Sequence, residues 1–332
     1  MKENQKQIIL SFLMGVLMPW MVLRLAQAVM PEETGSTQPE VLTPVQTETT
    51  QQTEAQEDAQ TVRVLLQDGS VAEMEMDAYL VSVVLAEMPT SFELEALKAQ
   101  AVVARTYAMK RQDDLDKHPQ GAVCTDPGCC QAYISLTDYL NGMGEQADVE
   151  KARQAVEDTH GLVLTYDGAL IEAVYFSCSG GRTEDAVAVW GEDIPYLLAV
   201  DSPGEEGAEH YTDTVYFTGE EFMEALGRTL SGSPGSWLGW CTYTTGGGVD
   251  TMYIAGQRYD GTELRQLLSL NSTAFTMTAD SGGISVTTYG HGHRVGMSQY
   301  GADAMALQGS TFAQILAHYY PGTVIDKAEN LG

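Results

Sequence analysis

Between residues 61 and 111 the apolar positions change from a two-residue to a three-to-four-residue rhythm. Val62–Leu66 and Val71–Met76 are short apolar–polar runs about the turn Asp68-Gly69, which predicts a pair of strands. From Asp77, expected as an N-cap, Leu80, Val83, Val84 and Glu87 recur at helical spacing. Pro89 ends that helix, because its ring disfavours helical geometry in Met88. Thr90 with Glu93 then reads as a capping box for a second helix, ELEALKAQAVVARTYAMKR, striped by Leu94, Leu97, Ala101, Ala104 and Ala108. Glu87 therefore sits on the apolar face of its own helix, at its C-terminal end.

Further along, Asp148–Thr159 reads as a helix stopped by His160-Gly161. Leu162–Tyr166 and Ala169–Phe176 flank Asp167-Gly168, a type I′ hairpin signal. Thr218–Leu230 is a helix with Thr218 and Glu221 as a capping box, and Ser231–Trp240 is a loop. Strands are expected near Cys241–Thr245, Val249–Ile254, Ala274–Thr278 and Ile284–Tyr289, with helices at Thr262–Leu270 and near Met297. The class expected is α+β, with mixed helices and antiparallel strands in a single globular domain and the Glu87 helix pair packed centrally.

The N-terminus is different. Ile8–Leu23, extended through Val29 with Arg24 snorkelling, approaches the ~20 residues of a membrane span. Lys2 and Lys6 precede it and Glu32 and Glu33 follow, which keeps the tip cytoplasmic and the rest outside. Ala26-Gln27-Ala28 offers the competing reading of a cleaved signal peptide. Pro31–Gln60, rich in Pro, Thr, Gln and Glu and free of Lys and Arg, is a solvated acidic linker. The expected organisation is residues 1–30 as cytoplasmic tip and anchor, 31–60 as linker, 61–325 as one extracytoplasmic domain, and 326–332 as a tail.

Over 332 residues, 17 Lys+Arg face 46 Asp+Glu, a formal charge of −29, which argues against nucleic acid as a partner. There is no G-x-S-x-G elbow and no ordered Ser…Asp…His set, so serine hydrolase chemistry is disfavoured. A carboxyl at an apolar helix C-terminus is pushed toward its protonated form by burial and by the helix dipole, as a general acid requires. The alternative is a helix-end Glu paired with Lys98 or Arg105. The loop HPQGAVCTDPGCCQAY holds His118, Cys124, Cys129 and Cys130, which suits either one zinc ion or a disulfide from Cys124 to Cys129 or Cys130. His291 and His293 flank Gly292, but no carboxylate stands at zincin spacing. Trp190, Pro195 and Tyr196 are sugar-stacking or core candidates.

Taken together, AEMP (Ala86–Pro89), EALKAQAVVARTY (Glu95–Tyr107), Ser177–Thr183 with Trp190, and GHGHRVGMSQYGA (Gly290–Ala302) resemble the stage II sporulation protein D family. The motifs occur in that order, Tyr319–Gly322 extends the match, and the resemblance covers about residues 61–325. It implies a membrane-anchored peptidoglycan lytic transglycosylase of forespore engulfment, in the septal or engulfing membrane of the mother cell. The catalytic acid falls on Glu87. Clostridial members are similar in a zinc-binding His/Cys loop, which falls on His118, Cys124 and Cys130 and leaves the fourth ligand open at Cys129. Donors to the oxocarbenium-like state are expected from Ser177, Ser179, His291, Gln299 and Tyr300, and substrate positioning or ion pairing from Lys98 and Arg105. The implied partners are denuded glycan strands, a sporulation amidase of the stage II P type and the stage II M membrane protein. The alternative within the family is a non-catalytic amidase enhancer that binds wall. The motifs at residues 87, 177 and 291 should converge on one cleft.

Overall fold

The computed structural model describes residues 60–331, apart from 113–116, 119, 121–122 and 143. The expected anchor and the linker up to residue 59 lie outside the described residues, none of whose helices is long and apolar enough to cross a membrane. Strands β1 (Thr61–Leu65) and β2 (Val71–Glu75) pair antiparallel as expected. Helix α1 (Met76–Glu87) follows without a break. Its N-cap is Glu75, whose carboxylate accepts from the N–H groups of Asp77 (2.9 Å) and Ala78 (2.6 Å). Asp77 is not the cap because its carboxylate is taken by Arg105 and His160.

The expected capping box before helix α2 (Leu94–Gln112) is also absent. Thr90 Oγ1 donates to Asp148 (2.6 Å), and the Glu93 N–H is capped from far along the chain by Asp303 (2.7 Å). Both helices are buried nearly all round, the behaviour of a helix without a polar face. Met76, Tyr79, Leu80, Val83 and Val84 of α1 meet Leu97, Ala101, Ala104 and Ala108 of α2 in the larger core, the alanines allowing close approach.

Strand β3 (Val123–Cys124) adds parallel to β1, and helices α3 (Leu136–Asn141) and α4 (Gln146–Glu157) lead to strand β4 (Leu162–Tyr166). The type I′ turn is present: Asp167 and Gly168 have φ of 50° and 79°. Its second strand is only β5 (Ala169–Leu170), however. The chain then leaves the hairpin and resumes as β6 (Tyr175–Phe176) in a different, parallel pair. Helix α5 (Ala186–Trp190) closes this part.

The next segment forms its own smaller core around Phe222, Trp237, Ile254, Leu264, Phe275 and Ile284. Strand β7 (Thr212–Thr218) runs into helix α6 (Gly219–Ala225) through the expected Thr218–Glu221 capping box. An antiparallel sheet of β8 (Leu238–Tyr243), β9 (Val249–Ile254) and β10 (Gln257–Asp260) precedes helix α7 (Gly261–Leu267). Strands β11 (Phe275–Ala279) and β12 (Gly283–Tyr289) complete a second sheet with β7. Buried polar groups tie this segment to the main body. Glu184 accepts from Gly246 (3.1 Å), Gly248 (3.3 Å) and Thr244 Oγ1 (2.5 Å), while Arg294 donates to the carbonyls of Ser179, Arg182 and Gly246.

The chain returns to the larger core as β13 (Met297–Ser298), parallel to β6, then α8 (Gln299–Leu307), α9 (Phe312–Tyr319) and β14 (Val324–Lys327). Strand β14 pairs with β4 through Lys327, so the fold runs past residue 325 into the expected tail. The class is mixed α and β with several antiparallel sheets, as expected. Two parallel pairs, β1–β3 and β6–β13, are additions that no sequence period announced.

Candidate active site

Glu87 is the last residue of α1 and projects into a cavity of about 580 Å³. Its Oε1 accepts from the Ala132 N–H at 2.6 Å and the Tyr175 hydroxyl at 3.0 Å, and its Oε2 faces the Gln299 amide at 3.4 Å. Burial is the largest influence on the carboxyl and carries its pKa above the ordinary value; the three hydrogen bonds pull in the opposite direction without cancelling it. Among the described residues, Glu87 is the one acid lining this cavity.

The other walls come from remote parts of the chain. Strand β6 brings Tyr175, Phe176 and the following Ser177 beside β13, and Gln299 opens α8 immediately after it. The Tyr300 N–H donates to the Ser177 carbonyl at 3.1 Å, locking the two segments. One step further, Cys178 and His291 exchange two backbone hydrogen bonds of 3.2 and 2.7 Å. Glu87, Ser177, His291 and Gln299 thus line one cavity, the convergence expected of the three motifs.

Trp190 and His293 also line it, their ring centroids 5.4 Å apart. The Val295 N–H donates to His293 Nδ1 at 3.1 Å, which leaves the proton on Nε2. Burial, and then the charge of Arg265, lower the His293 pKa to about 4, against a hydrogen bond to the Tyr175 backbone, so the ring is neutral at ordinary pH. His291 is likewise lowered, first by burial, and its buried Nδ1 has no protein partner.

Tyr175 is a residue that sequence reasoning missed. Its hydroxyl lies between Glu87 Oε1 at 3.0 Å and Gln131 Oε1 at 3.1 Å. Gln131 is oriented by its own amide nitrogen, which donates to Tyr79 at 3.1 Å and approaches the Ala104 carbonyl at 3.5 Å. Burial holds the Tyr175 phenol well above its ordinary pKa, so it stays protonated. One hydroxyl proton faces two acceptors. It serves Glu87 when that carboxylate is charged and Gln131 when Glu87 carries a proton of its own.

His118, Cys124, Cys129 and Cys130 stand at the rim, all their ligand atoms within 4.8 Å of one another. Cys129 and Cys130 sulfurs lie 3.6 and 3.4 Å from His118 Nε2. A tetrahedral zinc with bonds of ~2.3 Å to sulfur and ~2.0 Å to nitrogen spaces such ligands about 3.5 Å apart. The cysteines are free thiols, not a disulfide. The set fits a four-coordinate zinc ion with Cys129 supplying the fourth position. Gln131 and Ala132, two partners of the Glu87 site, follow directly in the chain.

Four nominated residues are not brought to the cavity. Lys98 is held by Glu95 and Asp158, each at 2.9 Å. Arg105 is fully buried and latches Asp77 at 2.9 Å and the Thr159 and Leu162 carbonyls at 2.7 and 3.2 Å. Ser179 is buried against Glu205, to which its hydroxyl donates at 2.9 Å. The Tyr300 ring packs edge-on to Phe92 at 4.9 Å. Lys98 and Arg105 thus follow the ion-pairing reading, and the side chains of Ser179 and Tyr300 are committed to structure instead of the site.

A family model described as Stage II sporulation protein matches residues 67–166. Stage II sporulation protein D of Bacillus subtilis is 40% identical over 265 residues, spanning 78% of this chain and 77% of that relative. The protein of the same name from Bacillus amyloliquefaciens is 38% identical over 266 residues, spanning 79% and 77%. The amidase enhancer of Bacillus subtilis is 28% identical over 297 residues, spanning 72% of this chain but 39% of that relative.

Proposed function

The chain belongs to the stage II sporulation protein D family, and on that premise we propose that it is a peptidoglycan lytic transglycosylase acting in sporulation, with Glu87 as its catalytic group. One observation carries this: among the described residues, Glu87 is the single acid that lines the cavity. Hydrolases that use water pair two carboxylates about 5–9.5 Å apart. A lone carboxyl suits a reaction in which one group acts twice. Protonated Glu87 donates to the oxygen linking N-acetylmuramic acid to N-acetylglucosamine, and the C1–O bond breaks. The carboxylate formed then takes the proton of the muramic 6-hydroxyl as that oxygen bonds to C1. The product is a 1,6-anhydro end, Glu87 regains its proton, and no water is consumed.

The raised pKa keeps the acid loaded, and the Tyr175 hydroxyl stabilises the carboxylate of the second half. The Ser177 hydroxyl is a polar group of the wall that can orient sugar hydroxyls. His118, Cys124, Cys129 and Cys130 would hold a structural zinc ion, which would fix the loop ahead of Gln131 and Ala132. Denuded glycan strands are the substrate in this reading, residues 1–30 hold the enzyme to the engulfing membrane, and the stage II P-type amidase and stage II M protein are its partners.

The test is mass spectrometry of glycan strands after digestion. Wild-type protein should release 1,6-anhydro ends, Glu87→Gln none, and Glu93→Gln, altered at an exposed position, should match wild type. Activity should be present below the raised Glu87 pKa and lost above it, because only the protonated form can donate. Absence of anhydro products from folded wild-type protein, with an amidase accelerated on addition, would favour the enhancer alternative.

A further inference from the structure

The cavity that holds Glu87 does not end at Trp190 and His293. Both also line an adjoining cavity of about 420 Å³, whose other walls include Thr262, Arg265, Gln266 and Ser269. That volume falls within the range of about 300–1,000 Å³ typical of small-molecule sites. Among the described residues no Asp or Glu lines it, although acids outnumber bases 46 to 17 in this chain. Arg265 is the one cation in its lining among the described residues.

The guanidinium of Arg265 is half-buried and aimed by backbone. Its Nε donates to the Leu270 carbonyl at 3.3 Å and its Nη2 to the Asn271 carbonyl at 3.1 Å. Neither bond uses Nη1. Burial lowers its pKa, with no carboxylate acting against it. A partly desolvated cation without a counter-ion is costly, and an arriving anion relieves that cost. The charge of Arg265 also helps to keep His291 and His293 neutral, so they do not compete for the anion. Trp190 is 44% exposed, which leaves ring surface for stacking.

We propose that this adjoining cavity is a second sugar subsite, in which Arg265 binds the carboxylate of a carboxylate-bearing sugar while Trp190 packs on its ring. The inference rests on the reading of the Glu87 cavity as a glycan-cleaving site. N-acetylmuramic acid carries such a carboxylate on its lactyl arm. In a strand that still bears stem peptides this carboxylate is an amide, neutral and bulky. Arg265 therefore lets a protein of formal charge −29 hold an anionic polymer locally, and select stripped strands over peptide-bearing ones.

The experiment measures binding of two tetrasaccharides of alternating N-acetylglucosamine and N-acetylmuramic acid. One has free lactyl carboxylates and the other has them converted to methylamides. Glu87→Gln protein is used so that neither is cleaved. The carboxylate form should bind about 10- to 100-fold more tightly, as a charge-assisted hydrogen bond allows, and lose that preference in added salt. Adding Arg265→Gln should reduce the preference to less than about threefold, and Arg265→Lys should retain part of it, since the charge remains but the fork is lost. Equal binding of both sugars, or a preference that survives Arg265→Gln, would overturn the proposal. The sugar comparison needs no change at Arg265, so it decides even if that variant misfolds. If wild-type protein forms anhydro ends while the two sugars bind equally, this inference alone falls. If neither sugar binds and no anhydro ends form, the catalytic reading falls with it.

Discussion

The hydroxyl proton of Tyr175 is shared between two acceptors, and that sharing suits the role proposed for Glu87, acid first and base second. Deleting it is informative because its two effects have definite signs. The Tyr175 hydrogen bond stabilises the Glu87 carboxylate, so Tyr175→Phe should raise the Glu87 pKa further. The alkaline limb of the pH–rate profile should move to higher pH, while the maximal rate falls about tenfold because the base half-reaction has lost its donor. A limb that stays in place, or moves down, would show that Tyr175 does not act on Glu87. How legible was this in the sequence? Glu87 was, because Leu80, Val83, Val84 and Glu87 fix one helical face and Pro89 fixes where it ends. Tyr175 left a weaker trace: it stands two residues before the nominated Ser177 on an extended segment, and so shares its side. Gln131 and the Ala132 N–H left none, since a backbone donor has no residue type and Gln131 meets Tyr175 across 44 positions. Ser179 and Tyr300 were misread for the opposite reason, while Lys98 and Arg105 took the ion-pairing alternative. Their chemistry fits a site, but Asp158, Asp77, Glu205 and Phe92 engage them first.

At the scale of elements, local period and turn chemistry located most helices and strands, and failed where a partner was distant. The Thr218–Glu221 capping box and the Asp167-Gly168 turn are closed within four residues, and both formed. The caps of α1 and α2 went to Glu75 and Asp303 instead, and the strand expected over Ala169–Phe176 split, because its second half pairs with Met297–Ser298. That parallel pair and the crossing just beyond it hold the cleft together. At the crossing, Gly290 has φ of 76°, and a Cβ there would stand 2.5 Å from the Cys178 carbonyl oxygen. Gly69 has φ of 83° but open space around it. Gly290→Ala must therefore push the two segments apart in addition to straining its own backbone, costing about 1–3 kcal/mol more than Gly69→Ala. Denaturant midpoints should show that gap, and Gly290→Ala should also lose transglycosylase activity while Gly69→Ala keeps it. Equal midpoints and equal activities would mean that the crossing tolerates displacement and does not set the cleft.

Over the whole molecule, the Glu87 carboxyl is held by four segments that meet only in the folded chain: α1 itself, the loop ending at Ala132, the β6 strand and the start of α8. Three are anchored in the larger core, where Tyr175, Gln299 and α1 belong to paired or helical elements. The loop is not. Between Gln112 and Leu136 its regular structure among the described residues is the two-residue strand β3. The cluster of His118, Cys124, Cys129 and Cys130 is therefore placed where a metal would contribute most, immediately ahead of Gln131 and Ala132. Composition could nominate the ligands but not choose between zinc and disulfide, because both need the same residues close together. The geometry fits a four-ligand zinc ion, so protein purified without added metal should contain close to one equivalent by elemental analysis. Stripping the metal with a chelator at neutral pH should lower the melting temperature and reduce anhydro-sugar formation at least tenfold, since the Ala132 and Gln131 contacts lose their support. Zinc added back should restore both. Cys124→Ser should reproduce the loss without rescue by zinc, whereas Cys241→Ser, at a thiol outside the cluster, should change neither. A disulfide mapped between Cys124 and Cys129 or Cys130 in metal-free, fully active protein would reject the zinc site and leave the loop held by a covalent link instead.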